Sequence, residues 1–279
     1  MQSFRAVYLM TIAACMMAAC QSTPVTGRKQ LIVVPESQAI EASKSAYAQT
    51  LQPLQKQGKV NNDPALVARV KTITGRLIPP AIAYRPETAS WDWQVVVIDE
   101  PETLNAWCMA GGKMAIYTGI IQKLNLSDAE IAQVMGHEIA HALAKHTAER
   151  MSVALAQQTA LQVGSILLGG GTSSQLALQA AAAATTVGVQ LPNSREQEAE
   201  ADRIGIELAA RAGYDPHAAP QLWQKMMQAT GGGGKSDFLS THPSNEKRLE
   251  SLTALIPQMM PFYQDKSARP AYAFKTAQR

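Results

Sequence analysis

Apolar positions along this chain recur with two periods, and the period changes where the expected architecture changes. Between residues 36 and 57, Ile40, Ser43, Tyr47, Leu51 and Leu54 fall at helical spacing. Pro53 is placed to break or bend that helix near its end. Asn61-Asn62-Asp63-Pro64 has the form of a helix start; the stripe Leu66, Val67, Val70, Ile73, Leu77 and Ile78 follows, and Pro79-Pro80 are expected to stop it. Strand signals lie on either side. Leu31-Ile32-Val33-Val34 is a short apolar run, and Trp91 to Ile98 is rich in β-formers. Asn105 to Gly119 reads as two short strands broken at Gly111-Gly112. From Ser127 onward the pattern is helical. One helix begins at Ser127 and is expected to continue past Glu149 and Arg150 to about Val163. A helical hairpin is expected over residues 160–191, interrupted at Gly169 to Ser174. Further helices are expected over 194–212, from Pro216 to Ala229 and from Asn245 to Ile256. These elements predict an α+β fold, mainly helical with a small antiparallel sheet. A single domain is expected over residues 20–263, with a flexible polar tail over 264–279.

Composition narrows the function classes. The chain has 279 residues, 46% of them hydrophobic, and a formal net charge of +3. Its lysines and arginines are scattered, which argues against nucleic acid as a partner. At the N-terminus, Arg5 precedes an apolar run from Ala6 to Ala19, too short to cross a bilayer core of about 30 Å. Met17-Ala18-Ala19-Cys20 resembles a bacterial lipobox, with Met17 where leucine is usual. Residues 1–19 are therefore expected to be a signal peptide and Cys20 the lipidated residue; the alternative is an ordinary cleaved secretory signal. Gln21 after the cysteine fits an outer-membrane address. In each half of 160–191 the apolar stretch is shorter than the roughly 20 residues a membrane helix needs, so a soluble hairpin is preferred to a membrane one. Of the cysteines, Cys15 and Cys20 fall in the targeting segment, leaving Cys108 as a single thiol that reads as a small buried hydrophobe.

The chemistry concentrates at His137-Glu138-Ile139-Ala140-His141, an HExxH motif. Residues i and i+4 share one helix face, so both imidazoles can reach one metal ion. Glu138, one step round, can reach a metal-bound water. Ser127 and Glu130 form a capping box, so the motif lies well inside an amphipathic helix. A catalytic zinc takes three protein ligands and a water. His146 is the nearest candidate, but on a continuous helix it points about 140° away from His141. The remaining candidates, Glu196, Glu198, Glu200 and Asp202, open a second capped helix (Ser194, Gln197). Of these, Glu198 and Asp202 share a face. Glu198 is the expected third ligand, and Asp202 is expected to accept the free N–H of a ligand histidine. Gly205 continues the same face and allows a close helix approach.

The motif SREQEAEADRIG downstream of HEIAH resembles the SRxxExEADxxG signature of the HtpX and CAAX prenyl protease family of zinc metallopeptidases, metallopeptidase family forty-eight. PVTGRKQL, NAWCMAGGKMAIYTGI and THPSNEKR extend the resemblance over roughly residues 24 to 258. It is closest to periplasmic lipoprotein members with a stand-alone peptidase domain, of zincin-like (gluzincin) fold. It implies one zinc per chain held by His137, His141 and Glu198, with Glu138 as general base. It also implies a place near the active site for His242, which could stabilise the oxyanion or occupy the open zinc position. Arg248 is expected to position the loop carrying His242. The implied function is hydrolysis of misfolded or unassembled envelope proteins, with a non-proteolytic chaperone or assembly factor as the alternative. The implied partners are unfolded or unassembled proteins, the membrane through a lipid anchor, and the outer-membrane assembly machinery. The substrate is expected to pair with the strand Gly112, Lys113, Met114, Ala115, Ile116, taken as an exposed sheet edge, with Asn105 and Ala106 near the cleft.

Overall fold

The computed structural model describes residues 20–23, 26–167, 193–229, 237–242 and 246–275. The segment 1–19 expected to be a signal peptide, most of the hairpin expected over 160–191 and the loop Gly231 to Gly234 lie outside the described residues. A small antiparallel hairpin, β1 (Cys20–Ser22) and β2 (Lys29–Leu31), leads into α1 (Glu36–Lys56) and α2 (Pro64–Tyr84). A 3-10 turn (Pro86–Ser90) precedes β3 (Gln94–Ile98), β4 (Ala106–Met109) and β5 (Lys113–Tyr117). Then follow α3 (Thr118–Lys123), α4 (Asp128–Leu143), α5 (His146–Leu167), α6 (Arg195–Arg211), α7 (Ala218–Ala229), α8 (Asp237–Thr241) and α9 (Glu246–Gln264). The fold is mainly helical α+β, as the periodicities predict. Among the described residues, no helix is long and apolar enough to cross a membrane.

The sheet differs from expectation in a way that matters for the site. Its order is β3-β5-β4, with β5 parallel to β3 and antiparallel to β4, so it is mixed. Gly111 and Gly112, at φ 82° and 79°, make the tight turn between β4 and β5; left-handed backbone is what glycine tolerates. The turn folds β4 onto the outside. The expected substrate edge over Gly112, Lys113, Met114, Ala115 and Ile116 is therefore an interior strand, its backbone shared between two ladders. Met114, Ala115 and Ile116 are fully buried, and the Lys113 ammonium is tied to Asp92 at 2.6 Å. Two apolar strands joined by a turn do not reveal which of them is the edge. That depends on β3, the more distant parallel partner.

Two helix boundaries also differ. Helix α1 keeps its expected extent, running to Lys56 with Pro53 inside it. Pro79-Pro80, by contrast, do not end α2. The Gly75 carbonyl, whose helical donor would be the N–H that Pro79 lacks, accepts instead from Tyr272 N–H at 2.8 Å. That donor belongs to the stretch expected to be a flexible tail. Within this mostly exposed stretch three residues anchor the chain: Tyr272 and Phe274 sit half-buried against the main core, and the Arg269 guanidinium donates to the carbonyls of Tyr263 and Asp265. Finally, α4 does not continue to Val163. It ends at Leu143, Lys145 takes φ 61°, and α5 starts afresh at His146.

The core's central contact is the crossing of α4 and α6. Gly136 and Gly205 meet there backbone to backbone: a Cβ on Gly205 would lie 2.7 Å from His137 N, and one on Gly136 would lie 2.9 Å from Gly205 O. The crossing sets the HExxH face of α4 directly against Glu198 and Asp202 on α6.

Candidate metal centre

Both helices reach this crossing with capped N-termini. Ser127 and Glu130 cap α4, and Ser194 and Gln197 cap α6, each as a reciprocal capping box. Four buried side chains converge. His137 Nε2 and His141 Nε2 are 3.0 Å apart, and each lies 3.3 Å from a different oxygen of Glu198. Tetrahedral zinc with bonds near 2.05 Å separates its ligand atoms by about 3.3 Å. One donor atom each from His137, His141, Glu198 and His242 fits within 4.8 Å of the others. Two imidazoles and a carboxylate at this spacing fit a divalent metal of zinc's type.

The electrostatics agree. Burial opposes a charge on His137, yet Glu198 and Asp202 outweigh it and push the imidazole up to about 9. Burial would raise the Glu198 carboxyl, but His137 and His141 hold it well below the usual carboxylate range. A positive charge between these groups is thus favoured. Burial keeps His141 and His242 neutral, His242 being lowered to about 3. Burial also pushes Glu138 up to about 8; a cation bound beside it would favour its ionised form.

Around these groups lies a second set of contacts. His137 Nδ1 is 3.0 Å from Asp202 Oδ1, as the shared face of Glu198 and Asp202 predicts. Arg248 grips Asp202 with two bonds (2.6 and 2.8 Å), reaches Glu198 Oε2 at 2.7 Å and stacks on Trp223. It acts on the converging groups themselves, where the sequence suggested only that it positions the His242 loop. Asn193, just before the α6 cap, donates to Glu198 Oε1 at 2.8 Å and is itself held by Arg150. Nothing in the sequence pattern pointed to Asn193. His146 is the clearest departure. The break at Lys145 swings it back, fully buried, so that its Nδ1 lies 2.6 Å from His141 Nδ1. His242 packs face to face on Phe238 at 4.3 Å, with Nε2 3.3 Å from Glu138 Oε1. Cys108 is a free, buried thiol.

A cleft of about 790 Å³ opens over Glu138, His141 and His242. Its walls are an α1 face of small and polar residues (Ala42, Ser45, Ala46, Gln49, Thr50) and the edge strand β4 with Asn105. Tyr117 N–H donates to Asn105 O at 3.1 Å, so residues 105, 107 and 109 face the β5 ladder. By alternation Ala106 and Cys108 turn their backbone groups outward.

The match to the model of peptidase family M48 runs over residues 64–256, more than half of the chain and all of the converging groups above. The chain belongs to peptidase family M48. Among its M48 relatives, the mitochondrial metalloendopeptidase OMA1 of Arabidopsis thaliana is 41% identical over 165 residues, 57% of this chain and 31% of the relative. The metalloendopeptidase OMA1 of Bos taurus is 32% identical over 245 residues, covering 85% and 46% respectively. The beta-barrel assembly-enhancing protease of Escherichia coli K12 is 31% identical over 209 residues, covering 72% and 41%. The chain thus spans less than half the length of each of these proteins.

Proposed function

We propose that this chain is a zinc metalloendopeptidase that cleaves misfolded or unassembled proteins of the cell envelope. The observation that carries the reading is the placement of the Glu138 carboxyl on the floor of an open cleft, beside a compact donor set of two imidazoles and one carboxylate. His137, His141 and Glu198 would hold the metal. A divalent ion there would supply Lewis acidity toward the scissile carbonyl and acidify the attacking water. Glu138 takes the proton from that water and returns it to the leaving amine. Arg248 and Asp202 keep His137 oriented, and Asn193 keeps Glu198 oriented. Substrate enters extended and pairs with the outward N–H and carbonyl of Cys108 and the outward carbonyl of Ala106, whose own N–H is held by Asn105 Oδ1 at 2.9 Å, so main-chain bonds that any sequence can offer provide the hold.

The names of the relatives support the class: metalloendopeptidase in one group, protease acting in beta-barrel assembly in the other. The lipobox-like Met17 to Cys20 supports export and an outer-membrane lipid anchor. The test is Glu138→Gln. It should keep zinc and lose hydrolysis by about 100-fold or more, and should trap clients for identification by mass spectrometry. Intact client holding with no hydrolysis by the wild type would favour the chaperone reading instead. A palmitate analogue should label the wild type and not Cys20→Ala; an unlabelled wild type in a lipoprotein-competent host would mean simple secretion.

A further inference from the structure

Each of the two ligand-type histidines is backed by a carboxylate paired with an arginine, but the two supports differ in length and origin. Behind His137 the support is short: Asp202, then Arg248. Behind His141 an extra imidazole is inserted. His141 Nδ1 meets His146 Nδ1 at 2.6 Å, His146 Nε2 meets Glu200 Oε2 at 3.2 Å, and Arg28 Nε meets the same carboxylate at 2.7 Å. The Thr26 hydroxyl donates to the other Glu200 oxygen. His146 and Glu200 are buried. Arg28 and Thr26 come from the loop of the N-terminal β1–β2 hairpin, outside the residues matched by the family model.

Donors and acceptors along this chain of contacts run in one direction. Arg28 can only donate, so Glu200 accepts from it. Glu200 also accepts from His146 Nε2–H, which leaves His146 Nδ1 as an acceptor. His141 Nδ1 must then carry the hydrogen, and its Nε2, which faces His137 and Glu198, presents a lone pair. The reverse order would put a hydrogen on His141 Nε2, where the ion belongs. An ion pair with its arginine half-buried adds little stability by itself, which makes a role in orientation the better reason for this one.

We propose that Arg28 is a positioning residue for the metal ligand His141, acting from the N-terminal hairpin through Glu200 and His146. The proposal rests on the metallopeptidase reading of the site. It makes the hairpin part of the metal centre: if the hairpin is displaced, His141 loses the group that fixes its tautomer.

The experiment uses the full chain and reads zinc affinity by competition with a chromophoric chelator, alongside the visible spectrum of the Co²⁺-loaded protein. Arg28→Met, Glu200→Gln and His146→Leu should each weaken zinc by about 10- to 100-fold and alter the cobalt spectrum. His146→Gln, which keeps one acceptor and one donor, should recover most of the loss. Arg69→Met, which removes a surface pair with Asp128, should leave affinity unchanged. Adding Arg28→Met to His146→Leu should cost less than about twofold more, because the relay is already cut. A folded Arg28→Met with wild-type affinity and spectrum overturns the proposal. So does a full additional loss in the double variant, which would mean that Arg28 acts outside the relay, through its bidentate pair with Glu149 or through packing. If Arg28→Met does not fold, Glu200→Gln, alone and combined with His146→Leu, decides by the same criteria. A wild type that binds no zinc overturns the metallopeptidase reading itself, and the relay with it.

Discussion

Gly205→Ala would add a single methyl at the point where α4 and α6 touch. The new Cβ would stand 2.7 Å from His137 N and 2.8 Å from His137 Cα. Ordinary contact distances are about 3.5–4.0 Å, and backbone atoms on both sides cannot swing away as a flexible side chain can. If the helices part to relieve the contact, they move by roughly 1 Å. Metal–ligand distances tolerate only about 0.2 Å. A shift of that size carries Glu198 and Asp202 on α6 away from His137 and His141 on α4. The expected result is a loss of zinc affinity of about 10-fold or more, with about 1–3 kcal/mol of destabilisation from overpacking. Chelator competition and thermal melts with and without zinc measure the two effects separately. Gly136→Ala, facing Gly205 O at 2.9 Å, should act in the same direction. A Gly205→Ala protein that folds and keeps wild-type affinity would refute the idea that this glycine contact sets the ligand spacing.

Three other substitutions probe the cleft. His242 Nδ1 lies 3.2 Å from Phe238 O and 2.9 Å from the Thr241 hydroxyl. Its hydrogen therefore belongs on Nδ1, and the bare Nε2 faces Glu138 and the other donors. That suits a resting ligand better than an oxyanion donor. His242→Ala should raise peptide hydrolysis several-fold at unchanged zinc content, whereas a fall of about 10- to 1,000-fold in kcat would indicate transition-state stabilisation. Cys108→Pro removes an outward N–H and should lower cleavage of unfolded proteins while the fold persists. Trp107→Pro removes a ladder N–H and should cost about 3 kcal/mol or more in chemical denaturation. Equal effects of the two prolines on stability and cleavage would count against β4 as the substrate edge.

Local signals placed much of this fold and most of this site. HExxH spacing, two capping boxes and the Glu198–Asp202–Gly205 register are all properties of single helices, and they put His137, His141, Glu198 and Asp202 together correctly. What the sequence hid depends on chain paths between elements. The edge moved from β5 to β4 because β3, joined through parallel pairing, covers the far side. His146 moved from the far face of a helix to contact with His141 because of one left-handed residue, Lys145, that carries no glycine or proline signal. Pro79-Pro80 failed to stop α2 because Tyr272, nearly two hundred positions downstream, supplies the missing donor. The roles of Asn193, Glu200 and Arg28 likewise follow from tertiary contacts that no periodicity records.

The cleft between α1 and the β4 edge has a consequence for what such an enzyme would measure. A segment that pairs with that edge must first leave its own helix or sheet, so cleavage would wait for the client to open. When opening and closing are fast, the rate follows the population of the opened form, about tenfold for each 1.4 kcal/mol of local stability. Two clients with identical sequence at the cut, one assembled and one stranded before assembly, would then differ in lifetime by their folding free energies alone. The cleft would act as a gauge of conformational stability, with no need to recognise any particular protein.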